Sequence, residues 1–165
     1  MDETEKGQRS SEQVRRLLAS IGSKASGIAP QCPPKPDLLV VISDRRIAIE
    51  TTDYHSDEQI MGGSNLRKQE EKDAREGKIK GYWVPPDPLP GITKRIGEKT
   101  KKAYDTSGAD ETWLAIFAGV SQLGALASTF IFKLAVNCSK LNEHTGDMLK
   151  TSLFSRCYLH CAITE

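Results

Sequence analysis

The first apolar pattern in the chain is that of an amphipathic helix. Apolar residues recur at helical spacing from Val14 to Ile21, and the polar run at 10–13 is typical of a capped helix start. Residues 1–9 alternate acids and bases without an apolar run, so they form neither a secretory signal nor a membrane anchor. We therefore predict a disordered tail at 1–9, followed by a helix that ends near Gly22.

A loop and a hairpin are expected next. Residues 23–36 are rich in Ser, Gly and Pro, which predicts a connection without regular structure. Two runs rich in apolar and β-branched residues, 38–42 and 47–52, then flank the polar segment 43–46. This alternation of two strand-like runs around a polar turn predicts a β-hairpin.

The middle of the chain is polar and then becomes amphipathic. Residues 64–80 carry six bases and four acids, which favours a solvated helix or a mobile excursion. A short strand is predicted at 82–84, and the proline-rich run 85–90 excludes a helix or a central strand there. A helix is expected at 92–105. Its inward-facing residues are predicted to be Ile92, Ile96 and Ala103.

The segment 113–132 contains no charged residue over 20 positions, which is long enough to cross a bilayer. Polar residues interrupt its middle, and the two sides differ in periodicity. We therefore predict a buried strand at 113–118 and a helix face over 123–131, with a membrane span as the alternative. The last apolar segment, 153–163, is compatible with either a strand or a helix.

Length and composition favour one globular domain. The chain has 165 residues, of which 38% are hydrophobic and 27% charged, so it suits a single core. We predict one α/β domain at 10–165, with a mixed central sheet flanked by helices. The net charge of +1 gives no strong overall field, so an anionic partner must be held by a local patch.

The cysteine usage is that of a reducing compartment. The four cysteines include no CxxC pair and no signal peptide accompanies them, which favours free thiols and a cytoplasmic location. Cys157 and Cys161 lie near His144 and His160 in sequence, but their spacing matches no common zinc motif. We expect the two cysteines to be packing residues and keep a zinc site as the minor alternative.

The predicted hairpin places two carboxylates on one face of the sheet. With the turn at Asp44 and Arg45, Asp37 lies opposite Thr52. Asp37 is then diagonal to Glu50, at about 7–8 Å between the backbones. Two acids side by side in a buried sheet repel each other unless a cation or a proton lies between them, and Mg²⁺ meets that need. The alternative is an exposed sheet end with two hydrated acids.

The same residues resemble a known motif. Pro36-Asp37, twelve intervening residues and then Glu50-Thr51-Thr52 resemble the PD-(D/E)xK motif of the restriction-endonuclease-like superfamily. That fold runs helix, three strands, helix, strand, and the predicted elements from 10 to 118 are similar in order. The resemblance implies a restriction-endonuclease-like fold and the hydrolysis of phosphodiester bonds.

The resemblance also implies the roles of individual residues. Asp37, Glu50 and the Thr51 carbonyl would bind Mg²⁺ or Mn²⁺, which activates water and stabilises charge on the scissile phosphate. Thr52 occupies the third catalytic position, where the family usually has lysine. A lysine orients the attacking water and offsets negative charge, whereas a threonine hydroxyl can only hydrogen-bond.

Three further groups of residues are candidates for a role beside the motif. Lys99 and Lys102, in the helix that follows, are candidates to replace the missing lysine. Glu12 is the acid that the first helix offers, but it points away from the apolar stripe, so an interaction with the helix dipole explains it better. His55 is expected to be an ordinary loop histidine.

The helix at 92–105 has a locally basic outer face. From Lys94 to Lys102 five bases oppose Glu98 alone, and bases that neutralise phosphates supply most nonspecific affinity for nucleic acid. We expect DNA as the partner, with RNA as the alternative and no membrane contact, and we leave a homodimer open. The predicted nucleic-acid contacts are Lys94, Arg95, Lys99, Lys101 and Lys102.

These observations lead to one functional hypothesis and two alternatives. The hypothesis is a Mg²⁺-dependent nuclease-like domain that hydrolyses phosphodiester bonds in DNA. The first alternative is a catalytically silent nuclease fold that binds nucleic acid or protein. The second alternative is a small membrane protein that spans the bilayer at 113–132.

Overall fold

The described part of the chain is an α/β unit built on one sheet, as the sequence predicted. The computed structural model describes residues 3–55, 87–120 and 145–163, with the isolated positions 72, 76, 77, 141 and 143. Two helices, α1 (Glu3–Ser20) and α2 (Leu89–Thr100), accompany five strands. The strands are β1 (Gly27–Pro30), β2 (Leu38–Ile42), β3 (Arg45–His55), β4 (Glu111–Val120) and β5 (Arg156–Ile163). Residues 145–150 are also helical.

The sheet is mixed and has the strand order β1-β2-β3-β4-β5. Pairing is antiparallel from β1 to β3 and parallel from β3 to β5. The central strand β3 pairs with β2 only as far as Ile49 opposite Leu38, but with β4 as far as His55. We call the point beyond the Leu38–Ile49 pair, where β3 runs on without β2, the fork.

Each face of the sheet carries its own apolar cluster. The α1 cluster exists because residues three and four apart on α1 share one side of the helix and meet alternate strand residues. Its buried members include Val14, Leu17, Leu18, Leu38, Val40, Ile47, Ile49 and Trp113. The opposite cluster, the α2 cluster, joins α2 to the other side of the same strands. Its buried members include Tyr54, Ile92, Ile96, Leu114, Ile116 and Phe154.

Helix α1 begins at Glu3, so the prediction of a disordered tail at 1–9 is wrong for residues 3–9. Ser11 lies inside the helix, where its hydroxyl donates to the Gly7 carbonyl at 2.8 Å. A Cβ on Gly7 would approach Pro30 to 3.2 Å, so glycine allows α1 to lie close to β1. β1 itself lies within the segment 23–36 that was predicted to be a loop.

The hairpin turn is two residues long and lies at Ser43 and Asp44, whose φ angles are 49° and 64°. Left-handed conformations at both positions match the twist of the flanking strands, which favours this turn over the predicted one. Leu39 therefore pairs with Ala48. The register is shifted by two residues, which changes the partners but leaves every side chain on its predicted face. If the observed register is continued by one residue pair beyond Leu38 and Ile49, Asp37 lies opposite Glu50.

The later elements agree with the sequence in kind and differ at their ends. Helix α2 begins at Leu89 with Pro90 in its first turn, where a missing N–H costs nothing. It ends at Thr100, so Ala103 lies beyond the helix and is exposed rather than inward. The strand predicted from 113 is confirmed as β4, and the last apolar segment forms β5.

Several predictions fall on parts of the chain that the structure does not describe. These are most of the helix or excursion at 64–80, the strand at 82–84 and the helix face over 123–131. β4 occupies the first part of the segment 113–132, which contradicts a single helical span there. Within the described ranges, no helix has the length and apolar character that a bilayer crossing requires.

Candidate active site

Glu50 is a buried carboxylate with two bound partners. The residue is 5% exposed, on the side of β3 that α2 covers. Its Oε1 accepts a hydrogen bond from Lys99 Nζ at 2.5 Å, and its Oε2 accepts one from the Asp37 backbone N–H at 3.3 Å. A buried carboxylate needs such partners because its desolvation alone costs several kcal/mol. The Glu50–Lys99 pair therefore holds the end of α2 against the central strand.

Asp37 lies at the start of the fork and is bound from two sides. Its Oδ2 accepts the Thr51 N–H at 2.9 Å and the Thr51 hydroxyl at 2.8 Å, and its Oδ1 accepts Lys6 Nζ at 3.2 Å. Burial acts to raise the pKa of Asp37, but the hydrogen bonds from Thr51 and the charge of Lys6 together outweigh it. The pKa lies below its ordinary value, so Asp37 is ionised at neutral pH.

Thr51 joins the two acids. Its N–H binds Asp37, and its carbonyl oxygen accepts Lys99 Nζ at 3.4 Å. Its hydroxyl also lies 3.2 Å from the Ser10 hydroxyl of α1. The three groups predicted to bind a metal, the carboxylates of Asp37 and Glu50 and the Thr51 carbonyl, are therefore connected in one cluster at the fork.

The predicted repulsion between the two acids is relieved by side-chain cations. Asp37 pairs with Lys6 of α1, and Glu50 pairs with Lys99 of α2. Of the two lysines considered as replacements for the one missing at Thr52, Lys99 contacts Glu50. Lys102 lies beyond the end of α2 and is exposed.

Thr52 itself is peripheral to this cluster. It is half-buried and pairs with Ile116 of β4. Strand alternation puts it on the same face as Glu50, as predicted. Its hydroxyl takes no part in the hydrogen bonds that connect the described residues of the site.

A polar stripe on α1 completes the site and was not predicted. Lys6, Arg9, Ser10 and Gln13 recur at helical spacing, so they share one face of α1. Arg9 pairs with Asp53 of β3 at 3.0 Å, and the Gln13 side-chain amide donates to the same carboxylate at 2.8 Å. This spacing was the available signal, but it becomes visible only when the helix is known to begin near residue 3.

Two other predictions near the motif have different outcomes. Glu12 is exposed and points away from the apolar stripe, as expected, and it pairs with Arg16 at 3.2 Å. The predicted interaction with the helix dipole is wrong, because α1 begins at Glu3 and Glu12 lies well beyond its first turn. His55 is the last residue of β3 rather than a loop residue, and its side chain lies outside the described part of the chain.

The five predicted nucleic-acid contacts separate into three groups. Lys94 and Arg95 both lie near Glu98, at 4.0 and 3.4 Å. Lys99 turns inward to Glu50. Lys101 and Lys102 are exposed after the last turn of α2. Of the five, only Lys101 and Lys102 are exposed and form no ion pair with a carboxylate of the described residues.

Tyr104 is a further residue at the site that the sequence did not indicate. It follows α2, and its ring packs edge-on against Phe154 at 5.8 Å between centroids. Its hydroxyl oxygen is buried beside Glu50, with which it interacts without the geometry of a standard hydrogen bond. Burial, and then the carboxylates of Glu50 and Asp37, raise the pKa of Tyr104, so the phenol stays neutral.

The oxygen donors at the fork are of the kind that Mg²⁺ and Mn²⁺ accept. The described residues contain no group of three or more His, Cys, Asp or Glu side chains suited to a metal. Mg²⁺, however, is commonly held by one or two carboxylates while waters fill its other positions. Asp37, Glu50 and the Thr51 carbonyl provide that set, and Lys99 competes for two of its members.

The cysteines of β5 are packing residues at the edge of the core, as predicted. Cys157 and Cys161 lie on one face of one strand, so their α-carbons are about 13 Å apart and cannot share an ion. Both pack against the α2 cluster, and burial raises the pKa of Cys157 to about 12. His160 packs edge-on against Phe117 at 5.9 Å, and His144 lies outside the described residues.

No family model, curated protein or solved structure matches this chain. Inferences about its function therefore rest on the residues at the fork.

Proposed function

We propose that this domain is a metal-dependent nuclease-like enzyme that hydrolyses phosphodiester bonds, with DNA as its substrate. The observation that carries the proposal is the position of Lys99 Nζ, 2.5 Å from Glu50 and 3.4 Å from the Thr51 carbonyl. The motif that the sequence resembles has a lysine where this chain has Thr52. Helix α2 instead brings an ammonium group to Glu50, one of the two motif acids.

The order of elements supports the same proposal. Helix α1, three antiparallel strands, helix α2 and the parallel strand β4 follow the order of the restriction-endonuclease-like fold. The motif acids lie where β2 and β3 part. At such a point, backbone groups of β3 are no longer occupied by β2 and can face a ligand.

Each residue at the fork then has a role. Asp37 and Glu50, with the Thr51 carbonyl, would hold Mg²⁺ or Mn²⁺. When bound, such an ion supplies a water of lowered pKa and a positive charge for the scissile phosphate. Lys99 lies close enough to those ligands to orient the attacking water by a hydrogen bond and to offset negative charge. Lys6 and Arg9 are exposed beside the acids and would contact phosphates on either side.

Lys99 provides the test of this proposal. We expect the purified protein to cleave DNA only with Mg²⁺ or Mn²⁺, and Lys99→Met to slow cleavage by at least about 100-fold, the usual size of such a role. Lys150→Met is the matched control, because Lys150 is exposed and its ion pair among the described residues is with Asp147, outside the cluster at the fork. Equal rates for parent and Lys99→Met would exclude Lys99 from the chemistry.

One observation favours the catalytically silent alternative. Both oxygens of Glu50 already have protein partners, so the Glu50–Lys99 pair is complete as a structural ion pair. In a silent fold that binds nucleic acid or protein, millimolar Mn²⁺ would leave the melting temperature of the parent unchanged. In the proposed enzyme the melting temperature rises with Mn²⁺ through mass action, and more so in Lys99→Met, where the ion has no competitor.

A further inference from the structure

Two buried hydroxyls connect helix α1 to Asp37. The Oγ of Ser10 lies 3.2 Å from the Oγ1 of Thr51, which in turn lies 2.8 Å from Asp37 Oδ2. Ser10 is 6% exposed and Thr51 is 8% exposed, so bulk water has little access to either side chain. The three groups form a chain of two hydrogen bonds that leads from the first helix to one oxygen of the motif acid.

The direction of the hydrogen bonds in this chain follows from the number of protons available. The Thr51 hydroxyl has one proton, and it donates that proton to Asp37 Oδ2. The carboxylate accepts hydrogen bonds from the Thr51 N–H and from Lys6 as well, so it acts as an acceptor throughout. Ser10 is therefore the donor to Thr51. Hydrogen bonds in such a chain polarise one another, so the first bond strengthens the second.

The two oxygens of Asp37 are held with different strength. Oδ2 accepts the N–H and the hydroxyl of Thr51, and displacing these buried donors would leave them unpaired at a large cost. Oδ1 accepts Lys6 Nζ at 3.2 Å, and the Lys6 side chain is 61% exposed. An exposed ion pair of this kind is weak, so a cation can displace Lys6 at little cost. Oδ1 is therefore the oxygen of Asp37 that a ligand can reach.

We infer that Ser10 is a positioning residue of the proposed site: by donating to the Thr51 hydroxyl it helps to fix Asp37 through Oδ2, which leaves Oδ1 to bind a divalent cation. This inference rests on the proposed function, since it assigns a residue of α1 to the same site. Ser10 acts through Thr51 rather than by contact with the cation. Lys6, once displaced from Oδ1, is available to a phosphate of the substrate.

The test compares Ser10→Ala with the parent, using the full chain and Mn²⁺ alone as the probe. Free Mn²⁺ is measured by electron paramagnetic resonance. We expect the dissociation constant for Mn²⁺ to rise about two- to fivefold, which corresponds to the loss of one neutral hydrogen bond. Ser11→Ala is the matched control, because Ser11 is 7% exposed and its hydroxyl donates to Gly7 within the same helix. That control should leave the affinity for Mn²⁺ unchanged.

Variants of Thr51 test whether Ser10 acts through that residue. Thr51→Val removes the hydroxyl and nearly keeps the shape, so it should weaken Mn²⁺ binding about tenfold, because a hydrogen bond to a charged group is lost. Thr51→Ser keeps the hydroxyl and should bind Mn²⁺ as the parent does. In the Thr51→Val background, Ser10→Ala should not change the dissociation constant further, since the connection is already broken. An effect there as large as in the parent would overturn the inference.

Other outcomes also decide the question. If the parent binds Mn²⁺ and Ser10→Ala binds it equally well, even with a lower melting temperature in EDTA, Ser10 is only structural and the proposed function stands. If Ser10→Ala does not fold, Ser10→Cys replaces it, because a thiol of similar size is a weak donor. Its dissociation constant should also rise, and an unchanged value overturns the inference. If the parent binds no Mn²⁺ up to several millimolar, the proposed function fails, and the role of Ser10 fails with it.

Discussion

Folding changes the surroundings of Asp37. In the folded protein its pKa is lowered, because hydrogen bonds from Thr51 and the charge of Lys6 together outweigh burial. When a carboxyl group has a lower pKa in the folded than in the unfolded state, its ionisation stabilises the protein at pH values above the unfolded-state pKa. That stability is lost as the pH falls through the folded-state value. The repulsion between Asp37 and Glu50 that the sequence led us to expect would have raised the pKa of Asp37. Neutralising that acid would then have stabilised the protein.

The first prediction follows from this sign. In EDTA at pH 7, Asp37→Asn should be less stable than the parent, because an amide is a weaker acceptor and leaves Lys6 without its partner. The difference in melting temperature should shrink as the pH falls from about 5 toward about 3. Thermal unfolding across this range is the measurement. A difference that stays constant with pH would mean that the carboxylate charge at this position contributes nothing.

The sequence predicted the two motif acids but not all the groups around them. Asp37 and Glu50 were found because alternation along two strands fixes the face of every side chain, whatever the exact register. Tyr104 could not be found, since its burial depends on the distant Phe154 and on Pro34. Long-range packing of that kind leaves no periodic trace in a sequence.

At the level of elements, the hairpin shows how a wrong register can leave a correct site. The turn is at Ser43 and Asp44 instead of Asp44 and Arg45, and partners across the strands shift by two residues. A shift by one residue would have moved Glu50 to the α1 face. The two-residue shift instead brings Asp37 directly opposite Glu50, closer than the predicted diagonal.

The turn supplies a prediction about stability. Left-handed φ costs an L-residue more than glycine, so Asp44→Gly should stabilise the protein by about 0.5–1 kcal/mol after allowance for the entropy of glycine. Gly108→Ala is the matched reverse exchange at another left-handed position, with φ of 83°, and it should destabilise. Denaturant unfolding measures both. A decrease in the stability of Asp44→Gly would contradict the turn geometry.

Element boundaries were predictable only where apolar residues mark them. The core positions Ile92 and Ile96 of α2 were correct, but its end was placed too late, because Ala103 continues the apolar spacing beyond Thr100. The first turns of α1 contact the sheet mainly through polar groups such as Lys6. A hydrophobic pattern cannot reveal a helix segment that is held in this way.

For the molecule as a whole, exposed charge near the fork predicts how DNA would be held. Lys101 and Lys102 are exposed beyond α2, whereas Lys94 and Arg95 share Glu98 as a neighbour. Changing Lys101 and Lys102 together to Ala should weaken DNA binding. The slope of log affinity against log salt should fall by about two, because each of the two lysines would neutralise one phosphate.

The double variant of Lys94 and Arg95 to Ala is the comparison for that experiment. It removes the same charge from the same region, but from residues that already lie beside Glu98. We expect a smaller change in slope, measured by titrating DNA at several salt concentrations. If the two double variants have the same slope as the parent, α2 does not contact phosphate.

The class of fold was predictable from the sequence, and the arrangement of its sheet was not. A helix, a hairpin, a second helix and a buried strand already imply an α/β domain with a mixed sheet. β1 was missed because it has only four residues, most of them exposed, and its last residue is a proline. It is an edge strand, where proline is tolerated and a strong apolar pattern is not needed.

The contacts at the fork differ in how far apart their partners lie in sequence, which bears on the order in which they form during folding. β2 and β3 are joined by a two-residue turn, whereas Lys99 meets Glu50 across 49 residues of chain. Local contacts form faster than distant ones because they close shorter loops. We therefore expect the hairpin to bring Asp37 and Glu50 together before α2 arrives with its ammonium. In that interval dissolved cations would neutralise the two carboxylates in place of Lys99.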